Sequence, residues 1–331
     1  MDVPKLVIGG SGFLGSHVVH RLTEQGERVR VMLRPTSSLR ALKDLDADFV
    51  FGDITDARAL ASATADCDVV YYCVVDARPW LRDPAPLFET NVNSLRSVLE
   101  VVRGAGLDRF VFTSSVATLP LGDGVVDEES GPHNWGDMGG AYVRSRVQAE
   151  ELVLRYAREH GVPAVAMCVA NTYGPGDYLP TPHGGFVAAA ARGKLPFYVR
   201  GAGAEVVDIR DAAHALVLAG ERGRPGHRYI ISAGWRATRD LHDFAASVTG
   251  ARPARYGLPP ALLQTAGVAG EVAARLTGKD IRVTRTTMRL MHTMTPLDHS
   301  KAERELGWKP RPIEDTITDA ARFFTRTRTR P

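Results

Sequence analysis

The stretch Lys5–Gly15 (K-L-V-I-G-G-S-G-F-L-G) narrows the chain to very few folds. Leu6, Val7 and Ile8 form an apolar run, glycines stand at 9, 12 and 15, and Val18, Val19 and Leu22 follow at helical spacing. The pattern predicts a strand, a tight turn and a helix opened by Phe13 and Leu14. Gly9 permits the turn, Gly12 allows the backbone to approach a pyrophosphate, and Gly15 allows the helix to lie close on its strand. The N–H groups and positive dipole end at the helix start then face the phosphates. The spacing is G-x-x-G-x-x-G rather than G-x-G-x-x-G, and glycine turns without ligands are common. Its place straight after a strand at the start of the chain points to a dinucleotide.

The rest of the chain alternates in the same way. Strands are expected at 28–33, 48–52, 68–75, 109–114 and 164–169, with helices at 56–65, 85–103 and 142–160 between the later ones. The runs D-V-V-Y-Y-C-V-V and R-F-V-F-T-S are apolar throughout, as strands buried on both faces are. Strands alternating with helices predict an α/β fold with a doubly wound parallel sheet of Rossmann type. From Asn171 the texture changes to a long Gly/Pro-rich loop. Beyond it, 186–193 and 239–249 read as helices, and 205–209 and 228–232 as strands. The expected division is a dinucleotide-binding domain over 1–170, with 205–233 packing back on it. A smaller α/β substrate-binding part, with the C-terminal tail, takes 171–204 and 234–331.

The second strand ends at Arg34, with hydroxyls at Thr36, Ser37 and Ser38. An NAD-binding fold places a carboxylate here to accept hydrogen bonds from the ribose 2′-OH. A guanidinium suits a 2′-phosphate instead, which favours NADP over NAD; the alternative is an Arg lying in solvent. Asp53 suits the adenine amino group, or else caps the following helix.

Composition excludes several classes. Of 41 basic residues 35 are Arg, yet the net charge is only +3, too small to imply nucleic-acid binding. The basic run 322–330 reads as a frayed end. Cys67, Cys73 and Cys168 sit apart in apolar surroundings, as buried free thiols do in a reducing compartment. The chain starts almost at once with a strand, leaving no room for a signal peptide, and no apolar run reaches the ~18–20 residues that span a bilayer. A cytoplasmic protein without membrane partners is the expectation. Ten scattered His residues make no metal-binding spacing, and no G-x-S-x-G elbow suggests a hydrolase.

Thr113-Ser114-Ser115 at the end of the fifth strand and Tyr142-Val-Arg-Ser-Arg146 opening a helix join the glycine turn in a recognisable set. Together they resemble the extended short-chain dehydrogenase/reductase (epimerase/dehydratase) family. The nearest likeness is its dihydroflavonol-reductase-like branch, with the hopanoid-associated sugar epimerase group. Arg34-Pro-Thr-Ser, Gly52-Asp-Ile-Thr-Asp, Trp80-Leu-Arg-Asp-Pro, Tyr173-Gly-Pro, Pro180-Thr-Pro and Lys301-Ala-Glu-Arg-Glu-Leu-Gly-Trp extend it nearly end to end. The resemblance implies that Ser115 hydrogen-bonds the substrate oxygen and that Tyr142 gives or takes its proton. It implies cofactor contacts at Asp53, Ile54, Cys73, Val74, Thr113 and Val169 besides the glycine turn, Arg34 and Ser37. A phenol of pKa ≈ 10 needs a nearby cation to act as a base. The family's cation is a Lys four residues on, which also holds the nicotinamide ribose; here that position is Arg146, which keeps the charge but relays no proton. Ile8, Cys73-Val-Val and Val169 depart from the family's Thr, His-Ala-Ala and Pro.

Trp80, Arg82, Trp135, Met138, Tyr173 and Tyr178 are candidate substrate-lining residues, suiting an apolar or ring-bearing molecule. The resemblance gives Asn91 a supporting place in a proton relay. Asp208 and Asp211 read as structural, capping a helix and bracing the two parts. Helices 85–103 and 142–160 carry apolar residues on more than one face. The surplus resembles the family's four-helix homodimer contact, with burial under the chain's own loops as the competing explanation. Three functions remain open: an NADP-preferring carbonyl/alcohol oxidoreductase, a sugar-nucleotide epimerase or dehydratase with tightly held NAD, and a nucleotide-sensing binding protein. Arg200 and Arg210 are the candidates for the diphosphate pocket of the second.

Overall fold

The computed structural model describes residues 3–291, 293 and 295–327. Among the described residues, twelve strands run in chain order: β1 (Lys5–Ile8), β2 (Val29–Leu33), β3 (Asp48–Phe51), β4 (Val69–Tyr72), β5 (Arg109–Ser115), β6 (Ala164–Val169), β7 (Asn171–Tyr173), β8 (Phe197–Val199), β9 (Gly203–Asp208), β10 (Arg228–Ile231), β11 (Trp235–Ala237) and β12 (Tyr256–Leu258). The helices of the first half are α1 (Phe13–Glu24), α2 (Ala57–Thr64), α3 (Ala85–Phe88), α4 (Ser94–Val102) and α5 (Gly140–His160). Those of the second half are α6 (Pro182–Ala191), α7 (Ile209–Arg222), α8 (Thr238–Thr249), α9 (Pro260–Thr277), α10 (Arg285–Leu290), α11 (Ser300–Leu306) and α12 (Ile313–Arg326). A π turn, Glu89–Asn93, joins α3 to α4.

Seven strands make one parallel sheet in the order β10-β6-β5-β4-β1-β2-β3. The order reverses between β1 and β4, and in parallel sheets of this kind ligands lie at that point, outside the carboxyl ends of the strands. Alternation along β1 builds two cores: Val7 faces α1 and α7 with Val31, Val111, Met167 and Tyr229. Leu6 and Ile8 face the other side with Val70, Phe110 and Ala166, under α2, α4 and α5. A third core joins α6, α8 and α12 around Val187, Val206, Leu241, Ile317 and Phe324. β10 returns to the large sheet beside β6, while β9 pairs with β7 and β11 in a three-stranded sheet.

Several expectations change. The region from 171 is not one long loop, because β7 lies within it and α6 starts at Pro182, four residues before the expected helix. The basic run at 322–330 is not frayed where it is described: α12 continues to Arg326, and Phe324 is buried in the third core; residues 328–330 lie outside the described residues. Most of the apolar surplus of helices 85–103 and 142–160 is consumed within the chain. Val92, Leu95, Val98, Leu99, Val102, Val143, Leu152 and Val153 are buried, because α4 lies between α2 and α5 as well as on the sheet, while Val147 is half-buried. Arg96, Ser97, Glu100, Arg144, Gln148 and Arg155 form the outward faces instead.

Candidate active site

The parallel register places the ends of β1, β2, β4, β5 and β6 on one edge, with Ile8 beside Met32 and Tyr72, Tyr72 beside Phe112, and Ser115 beside Val169. Gly9, Arg34, Cys73, Thr113, Ser115 and Val169 are therefore neighbours along that edge. Gly9 adopts a left-handed conformation (φ 86°), and a Cβ on it would press on the Cys73–Val74 backbone. A Cβ on Gly15 would overlap the Gly9 carbonyl oxygen, so α1 lies on the turn as only glycine allows. Gly12 stands at the N-cap of α1, and no side chain among the described residues caps that helix. Its first turn carries no acidic residue, which leaves the Phe13, Leu14 and Gly15 N–H groups and the dipole end available to an anion.

The Arg34 side chain is exposed and makes no hydrogen bond among the described residues, while the half-buried Ser37 donates its N–H to the Arg34 carbonyl (2.9 Å). Asp53 accepts from the Thr55 N–H (2.9 Å) and hydroxyl (2.7 Å). Those two bonds hold its carboxyl below the usual value against desolvation, with a lesser contribution from the charge of Arg34. Asp53 does not cap the next helix; Asp56 does, accepting from Arg58 and Ala59. Ile54 follows and packs on the core beneath α2. Cys73 accepts a weak bond from the Thr113 hydroxyl (3.5 Å), and burial pushes its thiol up to about 12, so it stays neutral.

Tyr142, Arg146 and Glu150 follow at four-residue steps along one face of α5. Tyr142 is half-buried among Ala117, Leu121, Trp135, Val143, Val147 and Leu290. Ser115 Oγ accepts the Ala117 N–H (3.2 Å), leaving its own proton free to donate outward. Arg146 is 1% exposed. Its Nη2 donates to the Thr113 carbonyl and its guanidinium lies 5.2 Å from the Phe112 ring centroid. Nε and Nη1 are buried and have no partner among the described residues. Desolvation pushes the guanidinium's pKa down, and Tyr142, Tyr72 and Glu150 push it back up.

Glu150 is the residue that sequence reasoning missed. It accepts from Ser114 Oγ (2.5 Å), Thr118 Oγ1 (3.0 Å), Cys168 Sγ (3.3 Å) and Arg228 Nη1 (3.2 Å), so one buried carboxylate ties the end of β5 to α5, β6 and β10. The available signal was a carboxylate eight residues beyond Tyr142, on the same helix face. Asn91 is buried in the π turn rather than lying on a helix surface. It bonds the Asp76 N–H (2.8 Å) and carbonyl (3.0 Å) and donates to Ser145 Oγ (3.0 Å), which in turn donates to the Tyr142 carbonyl (2.7 Å).

The candidate substrate residues do not form one wall. Trp80 and Arg82 line a cavity of about 380 Å³ with Glu271 and Arg275 of α9 and Thr284 and Thr286. Thr286 stands against Gly140, the residue that opens α5, so this cavity is on the Tyr142 side. Trp135 is buried below Tyr142, donating Nε1–H to the Leu119 carbonyl (2.9 Å), while Met138 is exposed. Tyr173 is buried in the third core beside His183. Tyr178 stands apart, between Phe323 and the guanidinium of Arg40, which lies 4.2 Å from its ring centroid. Arg210 and Arg200 do not meet: Arg210 is bound to Asp208 and Asp319 (2.7 and 2.8 Å), and Arg200 Nε donates to the Gly257 carbonyl. Asp208 caps α7 and Asp211 holds Arg311 (2.8 Å), bracing α7 against the segment before α12.

Asp177 accepts the Thr181 N–H and hydroxyl, with no cation paired to it among the described residues, and burial pushes its carboxyl up to about 6. A carboxyl raised from 3.8 in the fold holds its proton more tightly folded than unfolded. Its contribution is therefore most favourable below pH 4 and lost as pH rises to about 6. Asp177→Asn is expected to stabilise the protein by about 3 kcal/mol at pH 8 and by less than about 1 kcal/mol near pH 4. Denaturant melts at the two pH values check this, and equal gains at both would contradict it.

The residues present fit a dinucleotide: a glycine cradle that a Cβ would fill, an uncapped helix start without acidic neighbours, and orphaned N–H groups on a buried cation at the opposite end of the edge. The model for the "NAD dependent epimerase/dehydratase family" matches residues 5–232. The chain is 32% identical over 324 residues to a "Putative dihydroflavonol 4-reductase" of Synechocystis sp., covering 96% of this chain and 93% of that one. It is 27% identical over 322 residues to "Sterol demethylase protein B" of Methylococcus capsulatus, covering 96% and 97%. The crystal structure of gox2253 superposes with a TM-score of 0.86 at 34% identity, over 98% of each chain. Fold, cradle and likeness agree, and the chain belongs to the NAD-dependent epimerase/dehydratase family of the extended short-chain dehydrogenase/reductases.

Proposed function

We propose that the protein is an NADP-preferring oxidoreductase that interconverts a carbonyl and an alcohol on a small apolar or ring-bearing substrate. The observation that carries this reading is the buried, partly unsatisfied Arg146, one helical turn from Tyr142 and bonded to the Thr113 carbonyl of the strand that ends at Ser115. NADP, when bound, gives or takes the hydride. Gly9, Gly12 and Gly15, with the Phe13 and Leu14 N–H groups, hold its phosphates. Arg34 and Ser37 take the 2′-phosphate, Asp53 and Ile54 the adenine, and Cys73, Val74, Thr113 and Val169 border the nicotinamide. Ser115 donates its free proton to the substrate oxygen and Tyr142 moves a proton at that same oxygen. Arg146 is the charge partner and turns its two orphaned N–H groups to the ribose hydroxyls. Asn91 is a positioning residue that fixes the first turn of α5 through Ser145.

The reductase and sterol-related names of the relatives favour an apolar ring system, and the cavity between the Trp80 segment and α9 is the place we assign it. The separate engagement of Arg200 and Arg210 weighs against a sugar-nucleotide diphosphate there. A homodimer built on α4 and α5 would meet through outer faces that combine polar residues with the half-buried Val101, Val147 and Leu154.

Coenzyme choice is tested by titrating protein fluorescence with NADPH and NADH. NADPH is expected to bind at least about tenfold tighter, ~1.4 kcal/mol, and Arg34→Ala to erase the difference. Equal or tighter NADH binding by the wild type would overturn the assignment of Arg34 and favour the epimerase reading.

A further inference from the structure

We infer that the outer face of α9 docks on an anionic membrane surface. Leu263, Gly267 and Ala274 form the buried side of this helix, against the segment before α10. The opposite side, which a surface helix ordinarily fills with charge, carries Leu262, Val268, Val272 and Leu276, exposed by 49, 40, 47 and 82%. At 100° per residue these four fall within one arc with Thr265, Ala266, Ala269 and Ala273, and no charged residue interrupts it. The helix has two charged residues, Glu271 and Arg275, both on the flank of that arc.

Charge complementarity names the occupant. From 271 to 289 the chain carries Arg275, Lys279, Arg282, Arg285 and Arg289 against two acids, Glu271 and Asp280; Glu271 pairs with Arg285 (3.2 Å), which leaves four exposed cations against the exposed Asp280. An apolar stripe with cations beside it is the pattern that binds in the plane of an anionic interface, the stripe among the acyl chains and the cations at the headgroups. A second copy of the chain fits less well. Eighteen residues of helix make a strip about 27 Å long and 10 Å wide, roughly 300 Å², against the ~800 Å² per partner of a stable interface. No described helix is long and apolar enough to cross a bilayer, so the contact lies on the surface. The Trp80 cavity opens beside Arg275 at the end of this strip. If the apolar substrate proposed above is correct, that cavity receives it from the bilayer; the docking itself does not rest on that reading.

The test is vesicle flotation without coenzyme or substrate, using phosphatidylcholine alone and phosphatidylcholine with one quarter phosphatidylglycerol. The wild type is expected to float with the anionic vesicles and far less with the neutral ones. Val272→Glu with Leu276→Glu is expected to reduce flotation at least tenfold without changing the melting temperature. Leu276→Ser, at the most exposed position, is the milder variant, expected to weaken it several-fold. Absence of flotation at low salt would overturn the inference. So would flotation that survives both apolar variants, which marks unspecific charge attraction. A dimer in sedimentation equilibrium that the double variant dissociates would overturn it in favour of a second copy.

Discussion

Tyr142→Phe is expected to lower kcat by about 10²–10⁴-fold, the range for losing a positioned acid/base, while the melting temperature and coenzyme affinity stay unchanged. The ring packs against the cluster of Ala117, Trp135 and Val143, and Phe keeps that packing. The substitution removes one oxygen, the atom assigned to move the proton. Steady-state kinetics on any accepted carbonyl substrate, with a thermal melt alongside, check it. A fall of less than about tenfold would place the acid/base elsewhere.

Arg146→Met is expected to separate stability from activity. The guanidinium is fully buried, holds one carbonyl and leaves Nε and Nη1 unsatisfied. A buried donor without a partner costs about 1–3 kcal/mol, and replacing buried charge by a side chain of similar length is often neutral or stabilising. The variant is therefore expected to gain about 1–2 kcal/mol without coenzyme. Its turnover is expected to fall at least ~10²-fold with the loss of the charge partner. Wild-type melts shift upward with coenzyme by mass action as the orphaned donors find acceptors; in the variant that shift shrinks. A variant both less stable and fully active would mean that Arg146 is a packing residue.

The sheet was legible because buried parallel strands have to be continuous apolar runs. D-V-V-Y-Y and A-V-A-M-C-V allow little else, and the glycine turn fixes which edge binds. Tyr142 and Arg146 were legible because one helical turn separates them. What escaped depends on contacts between distant segments. Glu150 gains its meaning from Ser114, Thr118, Cys168 and Arg228, which come together only in the fold. α9 gave no periodic signal because its solvent face is as apolar as its buried one, and β7, β8, β11 and β12 are three residues each. The apolar excess of α4 read as a partner contact or as burial within the chain, because a sequence does not say that α2 covers part of that helix. Tyr178 was grouped with Trp80 as a loop aromatic, whereas α12 and Arg40 hold it elsewhere.

The central claim is that this edge carries out coenzyme-dependent carbonyl chemistry. Absorbance of NADPH at 340 nm, followed over a panel of apolar cyclic ketones and aldehydes with wild type and Tyr142→Phe side by side, tests it most directly. Substrate-dependent loss of absorbance in the wild type, nearly abolished in the variant, is the predicted result. Tight NADPH binding with no turnover across the panel, and none gained by Arg146→Lys, would contradict it and leave a nucleotide-sensing protein on an enzyme's fold.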